Sequence, residues 1–209
     1  MEKVYIHPLP VRIWHWVNAL GFLMLIATGV QIRYLDLVQL IPFRTAVVVH
    51  NYIGFVLIAN FFLWLCFYLF TDKITVYLPE MDPKKYFEDA WRQIKFYGHG
   101  IFLGEDNPHQ ATIYHKFNPL QIMMYQIIML LGLPIMFGSG LLLWDIKRFS
   151  AVIDFFGGVR VVDTVHVLMF IGFSGFLLMH LYLITLGPTR FAHFKAMLTG
   201  FEERHGNSK

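Results

Sequence analysis

Four long runs without a single Asp, Glu, Lys or Arg limit what this chain can become: Ile13 to Ile32, Thr45 to Thr71, Phe117 to Trp144 and Thr164 to Thr189. Each matches or exceeds the ~20 apolar residues that a helix needs to cross ~30 Å of hydrocarbon. Water is absent there, so every backbone N–H and C=O must be paired within its own segment, which makes such runs helices and not open strands. The sequence therefore reads as all-α, an integral membrane four-helix bundle forming one membrane domain over residues 1–209. The spans fall at about 12–34, 46–70, 119–144 and 162–187. The first run is longer than a signal peptide's apolar region and passes into Tyr34-Leu35-Asp36 without a small-residue cleavage site, so it reads as retained.

Lys and Arg are unevenly shared between the two sides. Twelve lie in the N-terminus, the second loop and the C-terminus (Lys3, Arg12, Lys73, Lys84, Lys85, Arg92, Lys95, Lys116, Arg190, Lys195, Arg204 and Lys209). Five lie in the other two loops: Arg33, Arg44, Lys147, Arg148 and Arg160. Basic residues favour the cytoplasmic side, so both termini are expected to be cytoplasmic in a bacterial inner (cytoplasmic) membrane. The net charge of +3 reflects this border bias and gives no sign of nucleic-acid binding. Cys66 is the only cysteine, so no internal disulfide can form.

Between the second and third spans, Asp82 followed by Pro83 opens a helix expected over about 83–97. Its apolar Phe87, Ala90, Trp91 and Ile94 recur at helical spacing, which fits either a helix lying in the interface or one packed on the end of the bundle. The outer loop Asp145 to Asp163, with Phe149, Val152, Ile153, Phe155 and Phe156 ahead of Gly157-Gly158, is expected to hold a short, partly immersed helix able to dock a partner. The polar tail after Gly200 is expected to be mobile.

Four of the ten histidines, His15, His50, His166 and His180, lie inside the apolar runs, where an ionisable side chain is costly and marks function. Helix one enters from the cytoplasm and puts His15 near the inner face. Helix two enters from outside and puts His50 near the outer face. Helix four runs inward, so His166 is outer and His180, fourteen residues on, lies ~21 Å deeper, with the two side chains within ~40° of each other. Depth thus pairs His50 with His166 and His15 with His180.

Two imidazoles from different helices can complete the coordination of a six-coordinate haem. No Cys-x-x-Cys-His motif provides covalent attachment, so the expected cofactors are two haem b groups, with these four histidines as iron ligands. Zinc, which draws four ligands to one point, does not suit two separated pairs. For each histidine taken singly, an interhelical hydrogen bond is the alternative. Gly54, Gly172 and Gly175 suit either cofactor packing or close helix contact. Arg12, Arg190 and Lys195 are candidate partners for the propionates of the inner haem, and Arg44 and Arg160 for those of the outer one; each also reads as a plain border charge.

Several segments carry a resemblance. They are Arg12-Ile13-Trp14-His15-Trp16-Val17-Asn18, Lys116-Phe117-Asn118-Pro119-Leu120-Gln121, the His166 to His180 spacing, His180-Leu181-Tyr182-Leu183 with Thr185-Leu186-Gly187-Pro188-Thr189, and Ala192-His193-Phe194-Lys195-Ala196-Met197 with Thr199-Gly200. With these the chain resembles the di-haem cytochrome b subunits of formate dehydrogenases, nickel-iron hydrogenases and thiosulfate reductases, which share a four-helix core with bacterial cytochrome b561. The resemblance implies a membrane anchor that relays electrons between an outer-face iron–sulfur or multihaem subunit and a quinone, menaquinone or ubiquinone, near the cytoplasmic face. It also implies a quinone site formed by Asn118, Gln121 and His180.

Asn118 has a second reading as the cap of helix three, and His109, His115, Glu105 and Asp106 read as proton carriers or as solvated loop residues. Two rivals stand beside the anchor subunit: a stand-alone superoxide:quinone oxidoreductase of the cytochrome b561 kind, and a non-haem transporter or scaffold.

Overall fold

A computed structural model describes residues 2–71, 75, 77–78, 80–109, 117–187 and 189–204. His115, Lys73, Lys116, Pro188 and Lys209 lie outside the described residues. Along the chain come β1 (Glu2–Tyr5), α1 (Leu9–Arg33), α2 (Phe43–Leu69), α3 (Pro83–Gly98), α4 (Pro119–Gln126), a π-helical stretch (Ile127–Gly132), α5 (Leu133–Trp144), α6 (Ser150–Phe155), α7 (Val159–Leu183), α8 (Ala192–Thr199) and β2 (Phe201–Arg204). Four helices are long and apolar enough to span a membrane: α1, α2, the continuous run Pro119–Trp144, and α7. Leu20, Leu23, Leu63 and Leu178 on these helices are exposed, as suits side chains that lipid solvates as well as protein does.

The helices begin and end a few residues from where the charge-free runs do. Pro10 fits the first turn of α1, where its missing N–H costs nothing, so the helix starts ahead of Arg12. Gly158, at φ 96°, turns the chain into α7, which therefore includes Arg160 and Asp163.

The chain divides into two compact units, Met1–Cys66 with Pro134–Lys209, and Phe67–Leu133. In the first, α1 and α2 touch at Trp14–Trp64, Gly21–Leu57 and Thr28–His50; as one number rises the other falls, so the helices are antiparallel. The same reasoning makes α1 antiparallel to α7 through His15–His180 and Phe22–Phe173, and α2 antiparallel to α5 through Phe55–Trp144 and Phe61–Phe137. Leu57, 1% exposed, lies where a Cβ on Gly21 would come within 2.6 Å of its Cδ2, so the glycine lets these two helices approach. Asn60, buried, donates its amide to the Trp14 carbonyl at 3.1 Å.

The expectation of a mobile tail is corrected over Phe201–Arg204; residues 205–209 lie outside the described residues. Phe201–Arg204 pairs antiparallel with Glu2–Tyr5, and Tyr5 meets Phe201 ring to ring at 5.1 Å. Gly200 makes the turn possible: its φ is 91°, its N–H caps α8 on the Ala196 carbonyl, and its own carbonyl accepts the N–H groups of Ile6 and His7. In the first turns of α1, Arg12 Nη1 and Trp16 Nε1 donate to the Leu198 and Met197 carbonyls, holding α8 against the start of that helix.

In the second unit the Asp82 side chain caps α3 by accepting from the N–H groups of Lys84 and Lys85. Ala90, Gln93 and Phe96 of this helix are buried, while Phe87, Trp91 and Ile94 form an exposed apolar stripe beside Lys95, whose Nζ lies 5.6 Å from the Trp91 ring centre. Tyr68, Tyr77, Phe117 and Tyr125 make an aromatic cluster with ring centres 4.7 to 5.3 Å apart.

Candidate functional site

All four intramembrane histidines belong to the first unit, and they lie as two pairs. The ring centres of His50 (α2) and His166 (α7) are 6.4 Å apart, and those of His15 (α1) and His180 (α7) are 6.2 Å apart. The two levels are separated along α7 by fourteen residues, or ~21 Å. An imidazole nitrogen binds a first-row metal ion at about 2.0 Å and lies about 1.2 Å from its ring centre, so two imidazoles on opposite sides of one iron have centres about 6.3 Å apart. Both separations fit that geometry. Among the described residues, no three His, Cys, Asp or Glu side chains converge on one point.

The His50–His166 pair is held by side chains that the sequence pattern does not reveal. Thr28 Oγ1 lies 2.9 Å from His50 Nδ1, and Ser139 Oγ lies 3.0 Å from His166 Nδ1. Each hydroxyl is followed by a glycine on which the imidazole rests. A Cβ at Gly29 would come 3.4 Å from His50 Cε1, and one at Gly140 would come 3.2 Å from His166 Cε1. The span Pro119–Trp144, which brings no histidine of its own, therefore contributes Ser139 and Gly140 through α5. Gly54, Gly172 and Gly175 do not touch the rings: a Cβ at any of them would meet nothing within 4 Å, which is open space and not the close helix contact that was their alternative reading. The available signal was the hydroxyl–glycine dipeptide, Thr28-Gly29 and Ser139-Gly140, which also occurs as Ser174-Gly175 in the fourth apolar run and so does not by itself mark a histidine neighbour.

Arg12, one turn before His15, uses Nη1 on the Leu198 carbonyl, while its buried Nε has no hydrogen-bond partner among the described residues. A donor left over beside His15 suits a propionate. Arg44 and Arg160 are exposed, and Arg33 is paired with Asp163 at 3.2 Å between α1 and α7. Two pairs of facing imidazoles and a spare buried guanidinium donor together make a donor set that fits haem.

Asn118 and Gln121 belong to the second unit. Asn118, 2% exposed, accepts the Gln121 N–H at 2.9 Å, and Gln121 accepts the Asn118 N–H at 3.0 Å, a reciprocal capping box at the start of α4. The cap reading of Asn118 is therefore realised. Its amide also donates to the Tyr97 hydroxyl at 3.0 Å, and burial pushes the Tyr97 phenol above its ordinary range, keeping it neutral. Gln121 is exposed, with its amide nitrogen beyond the cap. His109 lines a cavity of about 710 Å³ in the same unit together with Glu80, Lys85, Asp89, Arg92 and Gln93.

The family model described as prokaryotic cytochrome b561 matches residues 6–200. The Escherichia coli (strain K12) protein named "Putative cytochrome YdhU" is 39% identical over 210 residues, covering 98% of this chain and 76% of its own length. The Azotobacter vinelandii protein named "Probable Ni/Fe-hydrogenase B-type cytochrome subunit" is 26% identical over 202 residues, covering 86% of this chain and 79% of its own length. A protein of the same name from Azotobacter chroococcum mcd 1 matches at the same identity and coverage. No solved structure matches the chain.

Proposed function

The chain belongs to the prokaryotic cytochrome b561 family, membrane proteins that carry electrons through haem b, and on that premise we propose that it is a di-haem anchor subunit of a quinone-linked oxidoreductase complex. The observation that carries this reading is the pair of ring separations, 6.4 and 6.2 Å, at two levels of the membrane. In the proposal His50 and His166 hold the outer haem, and His15 and His180 hold the inner one. When bound, each haem takes up and gives back one electron at its iron.

The residues of this chain do the rest. Four imidazoles from three helices would hold the two haems, and Arg12 would neutralise a propionate of the inner one. With two imidazoles committed to each haem, electron transfer would be favoured over oxygen binding.

The biased Lys and Arg distribution supports cytoplasmic termini, which would turn the His50–His166 level toward the outside. A catalytic partner with an iron–sulfur or multihaem centre is proposed at that outer face, where Phe155 at the end of α6 and Phe156 just after it stand exposed. The hydrogenase cytochrome names borne by two relatives support a partner of this kind. Quinone is proposed as the other electron partner, near the cytoplasmic face. Electrons taken from outside would then join protons drawn from inside on the quinone, building membrane potential; the reverse flow would consume it.

The test is a dithionite-reduced minus oxidised spectrum with a pyridine haemochrome count on the purified chain, followed by addition of a quinol analogue. Two b haems per chain, reduced by the quinol, are expected. No haem would leave the transporter or scaffold reading, and reduction by superoxide without any partner would favour the stand-alone oxidoreductase.

The glycine contacts add a graded expectation. Gly140→Ala should force the His166 ring to give by a few tenths of an ångström, whereas Gly29→Ala makes an ordinary contact with His50. The outer haem's absorption band should therefore shift or broaden in Gly140→Ala and stay near wild type in Gly29→Ala. Equal spectra in the two variants would contradict the assigned packing.

A further inference from the structure

Thr28 and Ser139 are each 7% exposed in the interior of a membrane span, and each hydroxyl has two jobs. Thr28 Oγ1 lies 2.7 Å from the Met24 carbonyl one turn back, and Ser139 Oγ lies 2.8 Å from the Ile135 carbonyl. A carbonyl oxygen only accepts, so at that distance the hydroxyl must donate its single hydrogen there. What it offers the facing histidine is then a lone pair, and the Nδ1 atoms at 2.9 and 3.0 Å must carry hydrogen to meet it. Protonation at Nδ1 leaves a lone pair on Nε2, the nitrogen available to a metal. The same device occurs on both sides of the outer pair, from α1 toward α2 and from α5 toward α7.

We propose that Thr28 and Ser139 are positioning residues of the outer haem, each fixing the tautomer and ring orientation of one axial histidine and making that histidine a stronger electron donor. This rests on the di-haem reading. An acceptor that draws on the Nδ1 hydrogen raises electron density at Nε2, and a more basic ligand stabilises ferric over ferrous iron. The two hydroxyls therefore lower the potential of the outer haem, which helps it pass an electron inward.

The test uses Thr28→Val and Ser139→Ala, which remove the acceptor while keeping most of the volume, and Thr28→Ser, which keeps it. Each is purified with its haem complement, and both haems are titrated by spectroelectrochemistry and examined by low-temperature EPR. A hydrogen bond of ordinary strength is worth up to about a tenfold change in an equilibrium. At a fixed ambient potential, the ferrous-to-ferric ratio of the outer haem should rise about fivefold to tenfold in Thr28→Val, and by less in Ser139→Ala, where the Met136 carbonyl remains as a partner of His166. A tenfold change is about 59 mV upward for one electron. The inner haem should not move, Thr28→Ser should behave as wild type, and the low-spin ferric EPR signal of the outer haem alone should change.

Unmoved potentials with two haems still bound would overturn the proposal. So would a Thr28→Ser variant displaced as far as Thr28→Val, since that would assign the residue to helix packing. A wild-type chain without haem would instead remove the di-haem reading beneath it.

Discussion

Replacing His166 by alanine is expected to leave a folded membrane protein with one b haem in place of two, and replacing His180 should do the same at the other level. The two residues sit on one helix, so the comparison holds the scaffold constant and changes only depth. Each removal takes away one imidazole of a facing pair, leaving His50 or His15 alone at its level. Loss of the neighbours that merely orient a metal ligand costs about 10- to 100-fold in affinity or activity, and loss of the ligand itself should cost more. Haem content should fall by half in each variant, and electron transfer from an outer donor to quinone should fall by more than about a hundredfold in both.

His193→Ala is the control. That imidazole packs against Gly187, outside both pairs, and two haems should remain. The pyridine haemochrome count reads all three variants. Two haems retained in His166→Ala, or both lost in either variant, would contradict the assignment of one histidine pair to each haem.

The sequence shows the spans and the depth of the four histidines because both follow from the solvent. A helix in hydrocarbon must be long, apolar and internally hydrogen-bonded, and an imidazole inside it stands out against Leu and Phe. Depth along antiparallel helices then matches His50 with His166 without any knowledge of side-chain geometry. Helix ends are less legible, since Arg160 and Asp163 continue α7 into the polar border, where helical backbone and charged side chains coexist.

Thr28 and Ser139 were not legible as partners of histidine. A hydroxyl in a membrane helix usually bonds back to its own carbonyl, as these do, and its second lone pair finds an imidazole only once the helices are in phase. The pairing of Phe201–Arg204 with Glu2–Tyr5 was hidden for a related reason. Neither short polar segment has a strand signal of its own, and the fold brings them together by capping α8 with Gly200 and docking that helix on α1 through Arg12 and Trp16.

Gln31 was equally silent in the sequence, and its replacement by leucine should be among the most destabilising single changes in the first unit. The side chain is 0% exposed in the last turns of α1. Its Oε1 accepts the backbone N–H groups of Leu40 at 3.1 Å and Ile41 at 3.3 Å, and its Nε2 donates to the Ile41 carbonyl. One amide thus satisfies three backbone groups of an extended segment that has no helix or sheet to do so. Pro42 follows at once, and its carbonyl accepts the N–H of the fully buried Ala46 in the first turn of α2.

Gln31 therefore sets where α2 begins and, two turns further on, the direction in which His50 points. Leucine matches the volume and offers no polar atom. Each buried group left without a partner costs about 1–3 kcal/mol, and water at the membrane border recovers part of that, so a net loss of about 2–4 kcal/mol is expected. Unfolding in detergent by heat or by added dodecyl sulfate measures it, and the outer haem's spectrum should broaden while the inner one is unchanged. Wild-type unfolding in Gln31→Leu would show that the loop before α2 finds its register without this amide.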